Sequence, residues 1–484
     1  MDTHIIKHLL LLTIFVTLTW TSRASQSPLP TELLVGFKAH PDPSISSFQP
    51  LLTDSSGNYS LGFLRVNRDQ LSLSILHVPS SVPFWSANTT RLPRWADPTR
   101  LFFNGSLILS DSHTGVFWST YTNADRVWLS NTSNLEMRDG ENILWESFKF
   151  PSDTLVERQN FSNTMSLVSS NGIYSMRLGS DFFGLYANFR YPGPGPGQGQ
   201  IYLKHRALEA KADIVEGQPI KLILQPDGYL GMFQNGSIPV DVESFNSFQQ
   251  NVSGIRRVRL EPDGNLKGYY WTGTSWVLEY QAISDPCELP SSCGSYGLCK
   301  PGQECSCLDN RMVHGSGGCG PVVNRISSDF CGEYENGFKI LRRSGVELPF
   351  KELMGYIKMD SLEKCEGACE GNCTCWGVVY SNSSGFCYML DYPIQSLLAV
   401  GDETKVGYFK VREGLEKKEG GEWLGLGLGL LFGAVLIFAG VLGLGWYRWR
   451  SRGVKGYLEE DGVGVGAYKD LGAASFRSIE LSEK

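Results

Sequence analysis

The chain of 484 residues carries 43 Lys and Arg against 50 Asp and Glu, a formal charge of −7 that offers no basic footprint for nucleic acid. Its 7 histidines are scattered, two of them inside the first ten residues, and no nucleophile pair or metal cluster can be anchored to a motif, which argues against an enzyme and against a cofactor. All 12 cysteines lie between 287 and 387.

Residues 1–24 combine a polar start with Lys7, an apolar run from Leu9 to Trp20 and a small-residue exit, "TSRAS". That is the layout of a secretory signal peptide, cut after Ala24 or Ser25. Residues 26–286 contain no cysteine and alternate short apolar runs with turn residues, as in "GNYSLGFLRV", "GSLILSD" and "GYLGMF". The pattern predicts an all-β region. Related phrases recur around Trp85 ("PFWSAN"), Trp118 ("VFWSTY") and Trp145 ("ILWESF"), and their intervals of 33 and 27 residues predict three related sheet units about a shared core. Nine Asn-x-Ser/Thr acceptors, at Asn58, Asn88, Asn104, Asn131, Asn160, Asn235, Asn251, Asn372 and Asn382, all precede residue 423. The stretch "YPGPGPGQGQ" at 191–200 reads as a solvated loop.

Twelve cysteines in a secreted context are the arithmetic of a disulfide framework. Zinc needs four thiolate or imidazole ligands, and His314 is the sole histidine of the region. Redox exchange could use a labile Cys-x-Cys, but in a secreted chain structural staples are the favoured reading. The first six, Cys287, Cys293, Cys299, Cys305, Cys307 and Cys319, sit in a turn-rich segment with too little apolar surface to hold together without crosslinks. Spacing alone leaves about 15 pairings for such a set. The second six are Cys331, Cys365, Cys369, Cys373, Cys375 and Cys387. Here "DSLEKCEGACEGN" predicts a short helix capped by Asp360 or Ser361 and ended by Gly371, with Leu362, Cys365 and Cys369 on one face.

The run 423–447 includes 22 uncharged residues, Leu424 to Gly445, enough to cross a bilayer. Arg448, Arg450, Arg452 and Lys455 follow at once and mark the cytosolic side, so the chain reads as single-pass type I at the plasma membrane, with its ectodomain outside. Gly425, Gly429 and Gly433 recur every fourth residue and offer a face for helix dimerisation. Residues 448–484 form a cytoplasmic tail, too short for a kinase domain, in which "DGVGVGAYK" is a flexible segment without the partners a phosphate loop needs.

Several phrases carry a family resemblance. "LWESFKFPSDTLVERQNF" and "SGNYSLGFLRV" resemble the close and the opening of the bulb-type (G-type) lectin domain of plant S-domain receptors. "LEPDGNLKGYYW" resembles the end of a second such domain, "CGSYGLC" an EGF-like module, and "SLEKCEGACEGNCTCWGVVYSN" with "GYFKVR" a PAN or apple domain. The likeness covers about 25–412 and is nearest to kinase-lacking PAN domain-containing proteins. It implies a mainly β chain: tandem β-prism lectin-like domains at 25–157 and 158–282, an EGF-like module at 283–325 and an α+β PAN domain at 326–412, ahead of the transmembrane helix at 423–447. It implies the disulfides Cys287–Cys299, Cys293–Cys305, Cys307–Cys319, Cys331–Cys373, Cys365–Cys387 and Cys369–Cys375.

The bulb-lectin sugar pocket has the pattern Gln-x-Asp-x-Asn-x-Val-x-Tyr. Residues 225–233 keep Gln225 and Asp227 of it, and 261–269 keep Asp263, Asn265 and Tyr269; neither run is complete. Pro-Asp-Gly is equally a tight-turn signal between strands. The resemblance therefore implies a receptor-like surface glycoprotein that binds an extracellular glycan or protein and acts through a partner, either a second copy or a kinase-bearing relative. A tethered adhesive protein contacting wall polysaccharide is the alternative.

Overall fold

In a computed structural model, the strand-forming runs assemble in threes. The structure describes residues 29–412, apart from 90, 190–198, 208–213, 216, 251, 253, 311, 316–317, 320–329, 332–337 and 396, together with 437–448. The chain is mainly β.

Residues 32–146 build three four-stranded antiparallel sheets. Phe48–Thr53, Tyr59–Arg65, Leu71–His77 and Val82–Ser86 form the first; Thr99–Phe103, Leu107–Asp111 and Gly115–Ser119 form the second with Lys38–Ala39; Arg126–Leu129, Leu135–Asp139 and Asn142–Glu146 form the third with Glu32–Leu34. The opening strand thus pairs with the closing meander, Leu33 opposite Val127. Period-two alternation sends Leu61, Phe63, Leu101, Phe103, Leu107, Leu109, Val127 and Met137 inward. The last strand of each sheet carries one tryptophan, and the rings of Trp85, Trp118 and Trp145 meet edge-to-face with centroids 5.7–6.1 Å apart. These are the three phrases whose recurrence predicts a shared core.

Residues 154–281 repeat this connectivity. Thr154–Val156 joins the last meander (Arg256–Leu260, Leu266–Trp271, Trp276–Gln281), Asn160–Phe161 the middle one (Lys221–Gln225, Tyr229–Phe233, Asp241–Ser244), and Leu167–Val168 the first (Tyr174–Leu178, Phe182–Ala187, Gln200–Arg206). Thr154–Val156 pairs with Arg257–Arg259 and so joins the last sheet of the second set. The phrase from Leu144 straddles the junction because its aromatic half packs on the first core while "DTLV" enters the next sheet.

The two sets meet at an aromatic box. His77 is buried against Tyr59 and Phe84 of the first set and Trp271 and Trp276 of the second, with ring centroids 5.5–5.8 Å away. Burial, and then the Arg257 charge, lower its pKa to about 4. The unfolded imidazole takes up a proton near pH 6.5 and the folded one does not until about pH 4, so stability is full above pH 6.5 and lost as pH falls between those values. Thermal scans of the full chain should show the midpoint dropping over that window, with a smaller drop in His77→Phe. An equal drop in both would assign the dependence to other groups.

Beyond residue 282 the modules share structure. Gly297–Cys299 pairs antiparallel with Ser306–Cys307 and parallel with Leu397–Ala399, which also pairs with Val346–Glu347. The first cysteine set and the PAN-like region therefore complete one four-stranded sheet. A single apolar core runs from Leu155 and Leu266 through Leu298 and Leu308 to Val346, Trp376 and Phe409. A five-stranded sheet, in the order 338–344, 405–412, 377–381, 386–390, 357–358, carries the helix Leu362–Glu370. Ser361 caps the helix by accepting from the Lys364 N–H at 3.4 Å, and Cys365 and Cys369 face inward. Gly371 ends it in right-handed geometry, φ −70°. Buried Lys410 Nζ completes the end by donating to the carbonyls of Cys369 and Asn372, at 3.0 and 3.1 Å.

Among the described residues no helix is long and apolar enough to cross a membrane. Of the span expected at 423–447 only 437–447 is described, within a helical stretch of 437–448. The signal peptide at 1–24, the Gly425, Gly429 and Gly433 face and the tail beyond Arg448 lie outside the described residues.

Candidate functional site

The residues expected to hold a sugar sit on two separate hairpins. Each bends at Pro-Asp-Gly, where Gly228 (φ 83°) and Gly264 (φ 88°) supply left-handed backbone that other residues resist. A Cβ on Gly228 would also come within 2.8 Å of Ser247 Oγ.

On the later hairpin every matching polar group has a protein partner. The Asp263 carboxylate accepts from the Asn265 N–H at 2.8 Å and pairs with Lys267 Nζ at 2.9 Å. Asn265 is 3% exposed, and its amide closes on the Ile283 backbone, donating to the carbonyl at 2.8 Å and accepting from the N–H at 3.1 Å. The Tyr269 hydroxyl donates to Glu261 Oε1 at 2.9 Å, and burial together with that carboxylate holds the phenol far above its ordinary range. Glu261 continues to Arg259 at 3.5 Å, which pairs with Asp153 at 2.9 Å. On the earlier hairpin Gln225 stands opposite Tyr229 in register, Asp227 is exposed, and the Tyr229 ring packs on Phe248 at 5.5 Å. Gln225 and Asp227 thus stand apart from Asp263, Asn265 and Tyr269. In the first set the turn between Arg126–Leu129 and Leu135–Asp139 is closed as well: Asn134 donates to Glu146 at 2.8 Å and accepts from the Ser147 hydroxyl and the Phe148 N–H, each at 3.1 Å.

A cleft of about 390 Å³ opens over the tryptophan triangle, in the lower part of the roughly 300–1,000 Å³ range of small-molecule sites. Its walls include Trp85, Trp118, Tyr121, Trp145, Phe150 and Asn88. Phe150 stacks flat on Trp145, centroids 5.4 Å apart, and its carbonyl accepts from Trp85 Nε1 at 2.8 Å. The recurrent Trp phrases announce the triangle but not the opening, since Tyr121, at the end of one phrase, and Phe150, beyond another, line it from outside the strands.

The cysteines are joined as Cys287–Cys299, Cys293–Cys305, Cys307–Cys319, Cys331–Cys373, Cys365–Cys387 and Cys369–Cys375. Cys293, Cys305 and His314 bring their donor atoms within 4.8 Å of one another, yet both sulfurs are in a disulfide and offer no thiolate. The eight described acceptors, Asn58, Asn88, Asn104, Asn131, Asn160, Asn235, Asn372 and Asn382, are all exposed; Asn251 lies outside the described residues.

Comparison with known proteins assigns an S-locus glycoprotein domain to residues 232–311 and a PAN domain to 345–410. A PAN domain-containing protein of Arabidopsis thaliana is 49% identical over 484 aligned positions, 98% of each chain. The chain belongs to the S-domain family of PAN domain-containing proteins. A G-type lectin S-receptor-like serine/threonine-protein kinase of Arabidopsis thaliana is 27% identical over 70% of this chain and 40% of its own length. The putative receptor protein kinase ZmPK1 of Zea mays is 25% identical over 75% of this chain and 46% of its own. The S-domain protein described here thus spans less than half of either kinase. Its PAN match covers the helix and most of the five-stranded sheet, whereas its S-locus glycoprotein match starts inside the middle meander and ends in the first cysteine set.

Proposed function

We propose that this S-domain protein is a receptor-like glycoprotein of the plasma membrane, type I, which binds an extracellular ligand over an extended surface and acts through partner proteins. The proposal takes the sheet sets as tandem β-prism lectin-like domains, followed by an EGF-like module at 283–325 and a PAN domain at 326–412, with the membrane span at 423–447. It takes the exposed asparagines as glycan carriers. The observation that carries the ligand class is the Asn265 amide, both ends of which close on Ile283. A hydroxyl-rich ligand needs such groups free, and displacing a satisfied buried bond costs more than a single sugar contact returns. Lectin-like architecture therefore serves as a scaffold, and a protein ligand fits better than a monosaccharide.

The detergent-solubilised full chain, probed on a glycan array beside an Asp227→Ala/Asp263→Ala variant, should give no monosaccharide signal that the variant lacks. A sugar bound by the wild type and lost in the variant would restore the pocket. The adhesive alternative separates by function: with the membrane helix kept and the tail deleted, unchanged biological output favours tethering over signalling.

A further inference from the structure

The tryptophan cleft has features that the rest of the fold does not require. Tyr121 is 86% exposed and holds a left-handed backbone, φ 52°, which a bulky residue adopts only under constraint. The constraint is visible. Its N–H donates to Ser119 Oγ at 3.2 Å, while next to it the Thr122 N–H donates to Ser106 Oγ and the Thr122 hydroxyl to the Gly105 carbonyl, both at 2.8 Å. An aromatic ring is thereby fixed in solvent at the mouth of a cleft whose Trp118 and Trp145 indole N–H groups find no partner among the described residues. Flat apolar faces beside open donors suit a sugar ring, whose C–H face can lie on an aromatic while its hydroxyls accept.

The same cleft carries an attachment point for such a ring. Asn88, followed by Thr89 and Thr90, heads an acceptor sequence, is exposed and lines the cleft. Its position is firm. It lies two residues beyond the strand that bears Trp85, and the intervening Ala87 is buried with its N–H bonded to the Leu73 carbonyl at 2.9 Å. The other described acceptors, Asn104 and Asn131 among them, are exposed elsewhere and do not line this cleft.

We infer that the N-linked glycan of Asn88 occupies the tryptophan cleft, its first sugar rings lying on Trp118 and Tyr121 and closing the site to soluble ligands. This rests on the reading of Asn88 as an occupied acceptor, not on the identity of any external ligand. Covalent attachment holds the sugar at an effective concentration of roughly millimolar order, so contacts too weak to hold a free sugar suffice here.

Native peptide-N-glycosidase digestion of the full chain, purified from a secretory host and followed by glycopeptide mass spectrometry, tests the inference. The glycan on Asn88 should leave about tenfold more slowly than those on Asn104 and Asn131, equivalent to about 1.4 kcal/mol of protection. Tyr121→Asn, which keeps the left-handed backbone, should bring the rate close to theirs. In Thr90→Ala, which removes the acceptor, iodide should quench tryptophan emission more strongly than in the wild type. An unmodified Asn88 peptide, release as fast as at the other sites, a protected glycan indifferent to Tyr121→Asn, or unchanged quenching would each overturn it.

Discussion

Glu279→Gln is expected to destabilise the second sheet set by roughly 3–5 kcal/mol, the usual cost of breaking a buried ion pair from one side. Arg256 and Glu279 are 1% and 2% exposed, with Nε and Oε1 3.1 Å apart. The guanidinium also donates to the Pro226 carbonyl and to Ser247 Oγ, and the Ser247 hydroxyl donates to the second Glu279 oxygen. One side chain thus ties the turn of the middle sheet to the outer strand of the last. Glutamine keeps the shape and removes the charge, leaving a buried cation without its counterion. Denaturant unfolding of the full chain, followed by tryptophan emission, measures the effect. Arg256→Met added to Glu279→Gln should recover part of the loss, because a packed apolar replacement is often tolerated where half a pair is not. A shift below about 1 kcal/mol in the single variant would mean that water reaches the pair and screens it.

What the sequence makes legible follows the range of the forces involved. Alternation within a strand is local, so the β character of 26–286 and the inward faces of Leu61, Phe63, Leu101 and Phe103 can be read directly. The triple recurrence of Trp phrases is also visible, because one tryptophan per sheet must reach a common axis. The short strands Glu32–Leu34, Lys38–Ala39 and Thr154–Val156 are not legible: each is two or three residues long and owes its pairing to a meander as many as about a hundred positions away.

The helix at 362–370 is legible in its cap, its cysteine face and its stop at Gly371. No local pattern announces the buried lysine of the final strand, forty residues on, that donates to the carbonyls at this end, where Gly371 keeps right-handed backbone. The candidate sugar residues show the same limit. Residue types at 261–269 declare hydrogen-bonding capacity, whereas Ile283, the partner that absorbs both ends of the Asn265 amide, is set by the return of the following strand at 276–281. Whether a polar group is free or engaged is a tertiary property.

The disulfides give the second large effect, and two contributions to it disagree on the ranking. Cys331–Cys373 spans 42 residues and Cys365–Cys387 spans 22, so loop entropy alone favours the former as the stronger staple, by only about 0.6 kcal/mol. Cys365 and Cys387 are wholly buried among Cys369, Val378, Tyr380 and Tyr408, whereas Cys373 lies at the surface. Serine at the buried pair would leave two hydroxyls in apolar surroundings, each costing about 1–3 kcal/mol on top of the roughly 3 kcal/mol lost with the crosslink. Burial outweighs loop length. Cys365→Ser/Cys387→Ser should therefore lower the unfolding midpoint of the full chain well below that of Cys331→Ser/Cys373→Ser, and Cys365→Ala/Cys387→Ala should fall between them, because it removes the crosslink without adding the hydroxyls. If the two serine variants instead follow loop length, with the exposed pair the more damaging, the helix is held to its sheet by the covalent tether and not by the core around the sulfurs.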